Sequence, residues 1–201
     1  MNCAIVASNI AEGESCGNNM SGVTGIYFCP KKDVVSINVS RPATVTTYAE
    51  RVTVGTNALA TNAISCATGK YFGKMYCADD LGELKYTPQG QQGSKSFKAE
   101  LEVFHPQFKA DILGFLAVHN NEELIIVCQL NNDTYHLLGN IHRGVKLADS
   151  TNATSGKAVT DANGAECHFE WNCDAMQIMF DGWSPEDSTQ GLPLVPAPSN
   201  E

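Results

Sequence analysis

Cysteine and histidine offer this chain its most reactive side chains, with Cys at 3, 16, 29, 66, 77, 128, 167 and 173 and His at 105, 119, 136, 142 and 168. Thiolates that hold structural zinc come in closely spaced pairs, and no C-x-x-C occurs among these positions. An even cysteine count permits a disulfide framework, but such frameworks belong mostly to smaller secreted domains. Cys29, Cys66, Cys77 and Cys128 each end or sit within a β-like run, which reads as small hydrophobes packed in a core. His136 and His142 fall on one strand-like run and one face, and His168 follows Cys167. A nucleophile or metal site would have to be assembled from Cys167, His168 and His142 by the fold, and hydrogen-bonded surface histidine is the default. The neighbouring carboxylates Asp79-Asp80 and Glu122-Glu123 point to opposite faces if on strands, so paired-carboxylate catalysis has no local support. No G-x-S-x-G elbow, phosphate-binding glycine loop or H-E-x-x-H occurs. The expectation is a protein with no enzymatic activity, cofactor or metal.

The elements that would position these residues are mainly β, with one flanking α-helix. In Ser94–Gly144, SKSFKAELEVF alternates, with Phe97, Ala99, Leu101 and Val103 on one face and Ser96, Lys98, Glu100 and Glu102 on the other. That period of two predicts a half-buried strand. His105-Pro106 is expected to break it, and proline fits the first turn of a helix. From Gln107 to Val118, Phe108, Ile112, Phe115 and Leu116 form one helical stripe. EELIIVCQL and TYHLLGNIH read as strands joined at Asn131-Asn132-Asp133.

Strands are also expected at Thr24–Cys29 and Asp33–Ser40, and Lys70–Cys77 is expected to pair with Glu83–Thr87 across Ala78–Gly82. Residues 41–68 hold few large apolar side chains and suggest a long loop or exposed hairpin. Lys157–Thr160 and Ala165–Trp171 would flank an Asn163-Gly164 hairpin, and Met176–Phe180 a last strand. Trp171 and Trp183 are expected in the core or at an interface. Residues 1–22 read as an irregular arm, 23–183 as the β domain, and 184–201 as a Pro-rich arm with little to fold around.

The chain has 201 residues, 43% of them hydrophobic, enough for one substantial core. A net charge of −9 argues against a protein that grips nucleic acid, which needs clustered Lys and Arg. No stretch reaches the roughly 20 apolar residues of a membrane-spanning helix, and MNCAIVASNIAEGES lacks the basic start of a secretory signal. The Asn-x-Ser/Thr sequons at Asn19, Asn38, Asn132 and Asn152 then reflect composition only.

YHLLGNIHRGVKL, TSGKAVTDANGAECHFEW and the Pro-rich PLVPAPS resemble the C-terminal part of bacteriophage tail-tube proteins and related tail-ring and neck proteins of gut-bacterial phages. FKAELEVFHPQFKADILGFL matches the single helix flanking the β-barrel of that family. The resemblance covers residues 94–183, and 24–93 only by general pattern. It implies a tail-tube-like β-barrel or sandwich with extended N- and C-terminal arms. It also implies a hexameric ring or tube assembled in the host cytoplasm and located in the virion tail or neck. The partners would be further copies of itself, other tail or neck proteins, and genomic DNA passing without sticking; no membrane is involved.

On this reading Lys98, Glu100, Glu102, Glu166 and Glu170 are channel-lining candidates, with Lys98 and Lys157 interrupting an acidic pattern. Leu192, Pro193, Leu194, Val195 and Pro196 would form an inter-subunit arm, so deleting 184–201 would spare the fold. The bland reading of these charges is a solvated outer strand face. The alternative function is a small β binding module recognising a host glycan or partner protein. The third is an enzyme built around Cys167, His168 and His142.

Overall fold

β-Branched and aromatic runs broken by Gly, Asn and Pro produce many short strands, as the computed structural model shows. It describes residues 21–56, 62–78, 80–158, 160–187 and 190–196. In chain order the strands are β1 (Val23–Pro30), β2 (Val34–Ile37) and β3 (Val39–Ser40), then helix α1 (Tyr48–Val52) and strands β4 (Thr53–Thr56), β5 (Ile64–Cys66), β6 (Gly73–Tyr76), β7 (Glu83–Gln89) and β8 (Ser96–Pro106). Helix α2 (Ala110–His119) precedes β9 (Leu124–Leu130), β10 (Tyr135–Leu138), β11 (Lys146–Leu147), β12 (Asn152–Thr154), β13 (Gly164–Cys173) and β14 (Ile178–Met179). The protein is mainly β, and among the described residues α2 is the one helix of more than two turns.

A seven-stranded sheet in the order β3-β4-β14-β10-β9-β1-β6 faces a smaller sheet ordered β11-β13-β8-β7, with β12 also on β13. Between them Ile26, Leu101, Val103, Leu124, Ile126, Cys128, Cys167, Phe169 and Trp171 form one core, closed by Ile112 and Phe115 of α2. The Phe115 ring meets Phe28 edge-on at 4.8 Å between centroids. The large sheet is buried on its other face too. There Tyr27, Cys29, Ile125, Val127, Leu137 and Met179 meet Ile64 of the β2–β5 ribbon and Trp183 and Leu192 of the tail. Burial on both faces explains why β9 begins as the unbroken apolar run LIIVC, with no alternation.

Several expectations needed correction. β6 pairs with β1 and β7 with β8, so the two do not form a hairpin across 78–82. Residues 41–68 supply β4 and β5 and bury Val45, Val54, Ala63 and Ile64, giving the segment a core role despite its small residues. A capping box starts α1, with Glu50 N–H donating to Thr47 Oγ1 and the Glu50 carboxylate accepting from Thr47 N–H. Strand β8 runs through Pro106, and α2 starts only at Ala110, leaving Phe108 40% exposed and outside the buried stripe.

The strand that pairs with the start of β13 is β12, at 152–154; Lys157 and Ala158 instead lie in a turn whose backbone N–H groups donate to Asp161 Oδ2. Asn163 is not a hairpin apex. Its backbone and side-chain oxygens accept from the N–H groups of Gln107 and Phe108, holding the lead-in to α2. Gly164 lies where an added Cβ would collide with His105 O, so close strand approach demands the glycine.

The tail also differs from a free arm. Trp183 Nε1 donates to Gln190 O, Phe72 N–H donates to Pro193 O, and Val195 N–H donates to Phe72 O. Leu192 is 6% exposed and Leu194 bridges to Phe72 in parallel, so this stretch belongs to the chain's own core. Residues 1–20 and 197–201, including most of the N-terminal arm, Cys3, Cys16 and Asn19, lie outside the described residues.

Candidate functional site

The outer face of the five-stranded sheet is the surface where charged side chains converge. It follows from alternation: Ala99, Leu101 and Val103 of β8 and Ala165, Cys167, Phe169 and Trp171 of β13 turn inward. Lys98, Glu100, Glu102, Glu166 and Glu170 must then turn outward. Register sets them in rows, with Lys85, Glu100 and Glu170 adjacent across β7, β8 and β13, and Glu83, Glu102 and His168 in the next row. All five sequence candidates therefore share one open face. Glu83, Lys85 and His168 join them. A cross-strand reading of ELKYT could have found the first two, since Leu84 and Tyr86 turn inward between them.

Lys98 does not interrupt the acidic pattern so much as bind it. Its Nζ lies 2.9 Å from Glu100 Oε1 and 2.9 Å from Glu170 Oε1. The Lys98 hydrogen bond holds the Glu100 carboxyl below its usual range, and the two carboxylates raise the Lys98 ammonium. Both are solvated, so the effect organises charge and adds little stability. His168 Nδ1 stands 3.3 Å from Glu102 Oε1, and Asn152 Nδ2 donates to Glu166 Oε2 at 2.9 Å. Lys157, in its turn, is not part of the face.

The other chemistry-bearing residues are scattered. Cys167 is fully buried, with burial pushing its thiol up to about 12, while His168 is on the opposite face of the same strand. His142 lies in the turn after Gly139, where Asn140 Oδ1 accepts from its N–H, and not on a strand with His136. Cys167, His168 and His142 are therefore not brought together as a catalytic group. Among the described residues no set of three or more His, Cys, Asp or Glu is arranged to hold a metal. Glu122 and Glu123 serve the fold: Glu123 accepts from Lys31 Nζ at 2.7 Å, and Glu122 pairs with Lys32 and His119.

Two further features lie beside this face, one in the interior and one at its edge, where Asn152 is shared. His136 is held at 3.2 Å from the Tyr86 hydroxyl, and burial pushes its pKa down to about 4, so it is neutral at pH 7. An open groove of about 620 Å³ between the end of α2 and the β11–β12 segment is lined by Asn120, Asn121, Asp149, Thr151 and Asn152 together with Leu116. No helix among the described residues is long and apolar enough to cross a membrane. No family model matches this chain, and neither a curated protein nor a solved structure matches it.

Proposed function

We propose that this chain is a structural protein of a phage tail or neck that closes into a hexameric ring. In this reading the outer face of the five-stranded sheet lines a conduit for DNA. The observation that carries it is the open charged face itself. Glu83, Glu100, Glu102, Glu166 and Glu170 occupy it and outnumber its lysines Lys85, Lys98 and Lys146, of which the central Lys98 is engaged by two carboxylates. A wall of this kind stays wet and repels phosphate. A wall on which lysines outnumbered carboxylates would instead displace counterions and anchor the DNA. The sheet also ends in β7 on one side and the short β11 and β12 on the other, leaving edges that neighbours in a ring would cover.

The test is a comparison on duplex DNA at low salt. The wild-type protein should leave DNA mobility unchanged, whereas Glu100→Lys combined with Glu170→Lys should retard it. Equal retardation by both would remove the electrostatic argument. Light scattering on the same samples should give about 130 kDa, six times the chain's 21.6 kDa.

The second reading is a glycan- or partner-binding module, and the asparagine-lined groove beside α2 favours it, because side-chain amides both donate to and accept from hydroxyls. It predicts a monomer in which Asn121→Ala abolishes binding on a glycan array. Ring formation with no array signal would remove it.

A further inference from the structure

We infer that Cys29 and Cys66 are a thiol pair built to close into a disulfide, joining the β2–β5 ribbon to the large sheet, when the folded protein meets a small-molecule disulfide. Their Sγ atoms stand 3.8 Å apart, in van der Waals contact. The fold holds them there. Cys29 is fixed in β1 opposite Ile125, and the single 3-10 turn Lys31–Asp33 leads directly into β2, where Val34 registers with Cys66. The ribbon end is tied again by Ala67 N–H donating to Asp33 O at 2.9 Å and by Lys70 paired with Asp33 at 3.5 Å. Bond formation requires side-chain rotation to bring the sulfurs to about 2.05 Å, with both strands already in place.

The pair is also arranged in order of attack. Cys66 is partly exposed and Cys29 is 1% exposed. The hydrogen bond from Cys29 favours the Cys66 thiolate, while that contact and burial keep the Cys29 thiol protonated. Cys66 Sγ attacks one sulfur of the oxidant RSSR, forming a mixed disulfide and releasing one thiolate. Cys29 then loses its proton and attacks Cys66 Sγ, expelling the second thiolate. Two protein thiols become one disulfide, RSSR becomes two RSH, and the two protons end on the leaving groups. Cys77, Cys128 and Cys167 lie in the other core at 0% exposure, shielded from such an oxidant. The inference stands on this geometry and is independent of the ring reading.

The full chain, folded, is incubated with excess oxidised glutathione at pH 8, and residual thiols are blocked with iodoacetamide. Cyanogen bromide cuts after Met20, separating Cys29 from Cys3 and Cys16, and trypsin then releases Cys29 and Cys66 on different peptides, cut at Lys31 and Arg51. Tandem mass spectrometry should find those two peptides joined. Closing this loop should raise Tm by about 5–10 °C, reversibly with dithiothreitol. Cys66→Ser, at the less buried position, should fold and show neither the link nor the shift. Full alkylation of both cysteines after oxidation, or a stable glutathione adduct on Cys66 without the cross-link, would overturn the inference.

Discussion

Leu192→Ala tests whether the Pro-rich tail is part of the fold. Composition alone predicts an arm whose removal is harmless, but Leu192 is 6% exposed and shares a core with Phe72, Tyr27 and Trp183. Removing three buried carbons from a leucine leaves both lost transfer energy and a cavity, about 2–4 kcal/mol at a core margin that relaxes in part. For a chain of this length that is a Tm decrease of about 5–12 °C, or a urea midpoint about 1 M lower with unchanged m. Val195→Ala is the control, because Val195 is 60% exposed and should stay within about 0.5 kcal/mol of wild type. Truncation after Ser184 should cost more than Leu192→Ala, since it also strips the Gln190 acceptor from Trp183 Nε1. Equal stabilities for Leu192→Ala, Val195→Ala and wild type would refute the packed tail.

Other positions give sharp outcomes. Ile112→Asp puts a carboxylate into the buried face of α2 and should cost more than about 3 kcal/mol, read by urea denaturation; near-wild-type stability would mean the helix does not close the core. Gly164→Ala should destabilise by about 2 kcal/mol or more, because its Cβ meets the His105 carbonyl, and hydrogen exchange should rise along β8 and β13; unchanged protection would contradict that approach. His136, neutral in its buried site, titrates near 4 when folded and near 6.5 when unfolded. The unfolded chain binds more protons between those values, so this contribution is complete above pH 6.5 and is lost as pH falls to about 4. The loss is about 3 kcal/mol at most, and His136→Gln should flatten that part of the stability–pH curve; an unchanged slope would exclude His136 as its source.

Legibility in the sequence followed how local each signal is. The inward face of β8, the Ile112–Phe115–Leu116 part of the α2 stripe and the Asn131–Asp133 turn rest on periods of two, 3.6 and a few residues, and the structure has these, with Phe108 left outside the helix. Pairing was illegible where it joins distant strands. Nothing in GKMY states that its partner is β1, or in IM that β14 bridges β4 and β10. The tail's prolines advertise extension, whereas its burial depends on Phe72, more than a hundred residues away. The charged face was legible one strand at a time. Its second layer was not: Lys98 between two carboxylates and His168 beside Glu102 require the β8–β13 register.

The central claim is that copies of this chain close around the charged sheet face. Electron microscopy of the purified protein over a range of concentrations tests it most directly. Rings or stacked tubes with a central hole are expected, and at higher resolution Glu100, Glu102 and Glu170 on the inner wall. Single subunits at every concentration, or rings with that sheet face turned outward, would contradict it.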